Sequence, residues 1–208
     1  ISGLFKRAKE LHYKEWSKNP TRKGDHEQSW RAWKGKNLEK LILHIIKREV
    51  ESLGLKIVEG IKLERTKSGN LTKELSIVKR NLLVDFGEFG SHLPDVDMVI
   101  YEPESYKIVA VLSCKVTLRE RIAQTGYWKI KLSQDEATKH IRVYFVTLDE
   151  DGTLITRSPA KKGRAIVEVD TDGSYVVNES PVEESDKVKM FDRFIDDLKT
   201  LIRNNMSK

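Results

Sequence analysis

Two short stretches hold residue types that can do chemistry together. Pro94-Asp95-Val96-Asp97 opens an apolar run, and a later run, VAVLSCK, ends in Ser113, Cys114 and Lys115. Side chains alternate faces along a strand. Val109, Val111, Ser113 and Lys115 are therefore expected on one face, and Ala110, Leu112 and Cys114 on the other. Asp95 and Asp97 share a face of the preceding strand. The turn EPES between the runs predicts a β-hairpin, which can bring carboxylate and ammonium into one cleft. A carboxylate there can hold a hard divalent cation such as Mg2+. The cation polarises a phosphate and acidifies its bound water, while the ammonium stabilises transition-state charge or orients the water. These are the parts of a phosphodiester-hydrolysing site.

Pro94-Asp95, followed by Ser113-Cys114-Lys115, resembles the PD-(D/E)xK nuclease signature. The tail Lys115-Val-Thr-Leu-Arg119-Glu120-Arg121-Ile-Ala-Gln124 is similar to the K-(T/S)-(T/S)-x-(R/K)-(D/E)-R-x-x-Q run of type II restriction endonucleases. The resemblance covers the core from Glu39 to about Leu148. It implies a restriction-endonuclease-like core and Mg2+-dependent, sequence-specific cleavage of double-stranded DNA, leaving 5′-phosphate and 3′-hydroxyl ends. A short symmetric site would call for a homodimer, and a restriction enzyme implies a cognate DNA methyltransferase in the host.

Serine stands at Ser113 where the family usually carries an acid. This resembles the CCGG-cutting, BsaWI-type group, where a glutamate farther along replaces that acid. Here the corresponding region is Tyr127-Trp128-Lys129, which has none. The resemblance implies Asp95, the acid of the PD motif, as metal ligand, and Lys115 and Ser113 at the catalytic positions; Asp97, with the same facing and leading straight into the apolar run, ranks second to Asp95 as the ligand. For the second carboxylate, Glu136 lies far along the chain and Glu120 sits inside the arginine run. Glu39 is preferred, because family members often place a glutamate on a helix before the first strand. Arg119 and Arg121 would read guanine O6 and N7 in the major groove, and Glu120 would accept from cytosine N4 or orient an arginine. Gln124 lies one turn on and would assist. Lys161, Lys162 and Arg164 form a basic loop suited to phosphate contacts, which position without specifying.

Each of these residues also has a plainer reading. Asp95 and Asp97 suit a strand start, Lys115 a strand's solvent end, and the arginine run a solvated helix face. Glu39 suits a first helical turn, and Cys114 a small core position. Two other functions stay open: a non-catalytic DNA-binding module with a decayed site, and a junction or repair nuclease on the same core.

The chain has 208 residues, a net charge of +6 and a pI of about 9.2, which permits a nucleic-acid partner without requiring one. A lone cysteine rules out an internal disulfide, and the scattered histidines form no HxxxH pair. No apolar run reaches membrane-span length and no signal peptide is visible, so a cytoplasmic setting is expected. The chain begins at Ile1 rather than Met, and its start is expected to be trimmed.

The elements expected to carry these residues follow from periodicity. A single domain, 1–208, is expected, with a basic helical N-terminal segment of about 1–36 whose tryptophans dock on the core. That segment reads as two helices around a turn at Asn19-Pro20. A helix capped by Asn37 and stopped by Gly54 follows, then a strand LKIVEGIKLE broken at Gly60. A helix on Leu71, Leu75, Val78 and Leu82 leads to the hairpin. The next helix spans TLRERIAQTGYWKIKL, with Leu118, Ile122 and Ile130 inward, and HIRVYFVTLD reads as a buried strand. TLITRSP and a hairpin RAIVEVD-TDGS-YVV add strands, and a helix closes the chain. The order predicts a mixed α/β (α+β) fold with a central mixed sheet flanked by helices.

Overall fold

The computed structural model describes residues 2–18, 25–119, 121–178 and 180–206, so the turn expected at Asn19-Pro20 lies outside the described residues. Two helices come first, α1 (Ser2–Ser17) and α2 (His26–Ser52). The helix expected to begin at Asn37 instead begins at His26. Asp25 caps it by accepting the Gln28 N–H at 2.7 Å. Asn37 sits mid-helix, its side chain donating back to the Trp33 carbonyl. Gly54 (φ 76°) follows the helix end, as its left-handed backbone requires. β1 (Lys56–Glu59) then runs directly into α3 (Gly60–Arg65), so the expected break at Gly60 is a strand-to-helix switch.

α4 (Lys73–Asn81), capped by Thr72, leads to a small antiparallel pair, β2 (Val84–Asp85) and β3 (Ser91–His92). The predicted hairpin is β4 (Met98–Tyr101) and β5 (Ile108–Lys115). α5 (Arg121–Ser133) and β6 (Arg142–Thr147) follow, then α6 (Lys162–Asp170), β7 (Gly173–Val176), β8 (Val188–Met190) and α7 (Phe194–Met206).

Two strand expectations fail. RAIVEVD is the helix α6, not half of a hairpin, and TLITRSP forms no strand. The physical reason is topological. β6 and β7 lie side by side and parallel, which demands a crossover rather than a tight turn. α6 supplies it and buries Arg164 and Val167, three residues apart on one face.

The main sheet has the order β1-β4-β5-β6-β7-β8, antiparallel as far as β5 and parallel beyond it. β5 is central and almost wholly buried, which fits its continuous run of apolar residues. On one face, α2 lays Leu38, Ile42, Ile46 and Val50 against Leu112, Cys114 and Val146, joined by Phe194 and Leu198 of α7. On the other, Leu63, Leu75 and Val78 pack on Val99 and Val111, and Leu118, Ile122 and Val167 pack on Phe145 and Val176. The structure is therefore the expected mixed sheet between helical layers. Of the N-terminal aromatics, Phe5 and Trp30 join the core, whereas Trp33 stacks on Trp30 with one side in solvent. Ile130, expected inward, is exposed; Leu132 fills the core instead.

Candidate active site

The pairing of β4 and β5 fixes the site. Met98 registers with Leu112, so Asp97, one residue before β4, arrives beside the end of β5. The Asp97 N–H donates to the Leu112 carbonyl at 2.9 Å, and the Asp97 carbonyl accepts from Gly60 N–H at 2.9 Å. Only glycine permits that second contact, because a Cβ at Gly60 would lie 1.8 Å from the Val96 carbonyl oxygen. With its backbone held on both sides, Asp97 aims its carboxylate back at the strand end. Asp97 Oδ2 accepts from the Cys114 backbone N–H at 2.6 Å and from Lys115 Nζ at 2.8 Å. The Asp97 and Lys115 side chains are 13% and 12% exposed, enough for both to reach a ligand.

Glu39 projects from the middle of α2 and lines the same cleft as Lys115. Its carboxyl is half-buried and pushed up to about 7. Burial is the main cause, helped by the Asp97 charge and opposed by the Lys115 ammonium, with Glu59 and Asp95 raising it further. Glu59, at the end of β1, also lines this cleft. Sequence reasoning overlooks it. Its signal is a glutamate next to the glycine that follows β1, directly across from Met98. The Cys114 thiol is buried and its acidity suppressed, mainly by that burial and further by the Asp97 charge, so it serves as a core residue.

Other candidates are placed differently. Asp95 stays outside the Asp97–Lys115 pair; it is exposed and accepts from Gln124 Nε2 at 2.7 Å, tying the PD loop to α5. The ranking of Asp95 ahead of Asp97 thus runs against the contacts, because the hairpin register delivers the second aspartate, not the first, to Lys115. Ser113 is 1% exposed, and its Oγ has no hydrogen-bond partner among the described residues, so it presents no group to the cleft. Arg119 and Arg121 are exposed and line the cleft beyond Lys115. α5 begins only at Arg121, and Arg119 occupies a turn at φ 33°, its N–H directed to Asp151 Oδ2 at 3.4 Å. Glu120 lies outside the described residues.

Lys161 and Lys162 are exposed at the start of α6, with Lys161 Nζ donating to the Asp151 carbonyl at 3.2 Å. Arg164 is a correction. It is 0% exposed, its guanidinium donating to the carbonyls of Leu154 and Glu183 and pairing with Glu168. A buried arginine tied to main-chain carbonyls shapes loops and cannot touch a phosphate.

The cleft has a volume of about 1080 Å³. One wall is the β5 end with Arg119 and Arg121; the other is α1 and the first half of α2. Lys34 of α2 is buried against Phe5 and Trp30 and pairs with Glu150, just past β6, which fixes that second wall to the sheet. Among the described residues no three His, Cys, Asp or Glu side chains converge closely enough to cage an ion. Glu39 and Glu59 face the cleft near Lys115, and carboxylates suit a hard cation. Mg2+ commonly takes one or two protein carboxylates and completes its shell with water and substrate phosphate. Asp97 and Glu39 fit that pattern.

Comparison with known proteins bears on the whole arrangement. Residues 74–197 match the family model described as BsaWI restriction endonuclease type 2. The chain is 36% identical over 176 residues to a putative type II restriction enzyme, MjaVIP, of Methanocaldococcus jannaschii, covering 82% of this chain and 76% of that one. It is 38% identical over 127 residues to a probable type II restriction enzyme, HpyAORF263P, of Helicobacter pylori, covering 61% and 64%. Among solved structures, the PspGI–substrate DNA complex aligns with TM-score 0.54 at 14% identity, covering 97% of this chain and 76% of that one. The pre-specific BsaWI–DNA complex aligns with TM-score 0.51 at 14% identity, covering 86% and 65%. At that identity the two structures speak for the fold alone. Among the described residues, no helix is long and apolar enough to cross a membrane.

Proposed function

The chain belongs to the type II restriction endonuclease family of the BsaWI type, and from that premise we propose that it is a site-specific, Mg2+-dependent endonuclease for double-stranded DNA. The observation that carries the reading is the Asp97–Lys115 pair, 2.8 Å apart, whose lysine lines a cleft that Glu39 also lines. An Mg2+ ion held by Asp97 and Glu39 would supply positive charge to the scissile phosphate and acidify water. Lys115, held in place by Asp97, donates to the attacking water or to a non-bridging phosphate oxygen as charge grows there. Water oxygen bonds to phosphorus and the bond to the 3′ oxygen breaks, leaving a 5′-phosphate and a 3′-hydroxyl.

Arg119 and Arg121 stand along the same wall, where they would reach bases beside the cut, and Lys161 and Lys162 are exposed at the surface for phosphates. A two-fold dimer would match a symmetric site, and a methyltransferase would protect the host's own DNA in the cytoplasm. The test is incubation with long duplex DNA and Mg2+, followed by mapping of the ends. Discrete fragments sharing one end sequence support this function. Cuts confined to branched DNA support a junction nuclease. Binding without cleavage, unaltered by Lys115→Ala, supports a decayed DNA-binding module.

A further inference from the structure

We propose that the duplex backbone runs along α2, passing directly over Gly35 on its way to the scissile phosphate, so that one helix carries both a catalytic carboxylate and a phosphate track. This rests on the nuclease reading above and deepens it. Arg31, Gly35 and Glu39 are spaced by four residues and share the face of α2 that lines the cleft. At 1.5 Å per residue, Arg31 lies about 12 Å along the helix from Glu39. That is the axial rise of roughly three to four nucleotides at 3.4 Å each. The helix therefore reaches from the cut site to phosphates a few steps away on one strand.

Gly35 supplies an independent observation. Glycine inside a helix is unfavourable relative to alanine, and folding gives no reason for it here. A Cβ at Gly35 would meet nothing within 4 Å. The glycines in α5 and α6 differ: a Cβ at Gly126 would touch Asp170 and Ile166, and one at Gly163 would press on Thr153 and Ile122. Gly163 is the one of these that packing requires, and even Gly126 has neighbours that Gly35 lacks. Gly35 lines the cleft, so the space it leaves suits something that enters the cleft.

The charge of this wall indicates what enters. Lys9 and Lys34 are engaged by Glu27 and Glu150, whereas Lys6, Arg31, Lys36 and Lys40 line the cleft with no ion pair among the described residues. A smooth helix face flanked by such cations fits a polyanion whose backbone must come close. Lys34, buried against Phe5 and Trp30 and paired with Glu150, ties this wall to the sheet that carries Lys115.

The experiment measures binding of a short labelled duplex of arbitrary sequence by anisotropy, with Ca2+ in place of Mg2+ to hold cleavage off, across a KCl series. Gly35→Ala should raise the melting temperature by about 1–4 °C through helix propensity. Gly35→Leu should keep the fold yet weaken duplex binding by at least about tenfold, because its side chain stands in the backbone's path. Arg31→Gln should reduce the slope of log affinity against log salt by about 0.9, the change expected when one phosphate is no longer neutralised. Wild-type affinity in Gly35→Leu, with an unchanged salt slope in Arg31→Gln, overturns the track. Asp97→Asn separates the two readings: binding kept with cleavage lost upholds the nuclease whatever Gly35 does. A wild-type protein that binds no duplex overturns both.

Discussion

At the antiparallel edge of the sheet, β1-β4-β5, charged side chains are gathered but not sealed. Lys115, Glu39 and Glu59 line the cleft, and Asp97, its backbone held by hydrogen bonds, stays partly exposed on Lys115. The parallel half, β6-β7-β8, buries charge outright. Arg164 is sealed against loop carbonyls, and Asp149 is buried while accepting from Thr153 and Leu154 N–H groups. The same chemical groups thus serve two purposes. A charge held by main chain and left partly wet can act on a ligand, whereas one consumed by main-chain partners shapes a loop. Neighbours, not residue type, decide which.

The contrast predicts that damage in the two halves will differ in kind. Arg164→Leu should cost about 1–3 kcal/mol of stability, since it strands the buried Leu154 carbonyl and takes a partner from Glu183 and Glu168; thermal unfolding would show it. Duplex affinity of the protein that remains folded should be unaffected. Lys115→Ala should do the reverse. Single-turnover cleavage should fall by about 10²–10³-fold, the usual loss on removing one preorganised donor, with a melting temperature close to wild type. If Lys115→Ala instead unfolded the protein and spared cutting, the distinction between the halves would collapse.

Arg121→Ala should weaken binding to the cognate site by about 1–3 kcal/mol, and arbitrary duplex by less, if Arg121 reads a base. Competition binding distinguishes that outcome from a uniform loss, which would make Arg121 a phosphate contact.

The smallest effect concerns pH. Glu39 holds its proton up to about 7 in the folded protein, against 4.5 for an ordinary glutamate. Between those values the native state binds more protons than the unfolded chain, so this group's contribution to stability falls as pH rises. Without divalent cation, the melting temperature should drift down from about pH 4.5 to about pH 7, and Glu39→Gln should flatten that drift. Cation affinity should run oppositely, tightening as Glu39 ionises.

The hairpin is legible in the sequence because its information is local: two apolar runs, a turn, and acids and a lysine at the matching ends. Choosing between Asp95 and Asp97 is not local. It depends on the cross-strand register and on Gly60, a residue of another element whose missing Cβ lets Asp97 approach. The start of α2 is obscured because Asn37 reads as a helix cap; the Asp25 cap and the Trp30 anchor override it. α6 reads as a strand from its β-branched residues, and only the parallel pairing of β6 with β7 requires a helix there. Arg164 looks like its basic neighbours Lys161 and Lys162, and nothing in KKGR tells that helix packing turns one of them inward. Glu39 stands out in the sequence only through the family resemblance. Its setting, half-buried beside Asp97 and Lys115, emerges once the helix is laid over the sheet.

The central claim is that Asp97, with Lys115 and Glu39, forms the reacting set, and that Asp95 serves to hold α5. The most direct measurement is single-turnover cleavage of the cognate duplex at saturating Mg2+ by Asp97→Asn and by Asp95→Asn, with duplex binding measured alongside. Asp97→Asn should bind and fail to cut, while Asp95→Asn should retain most of the wild-type rate. Cutting that survives Asp97→Asn and disappears in Asp95→Asn would contradict the account.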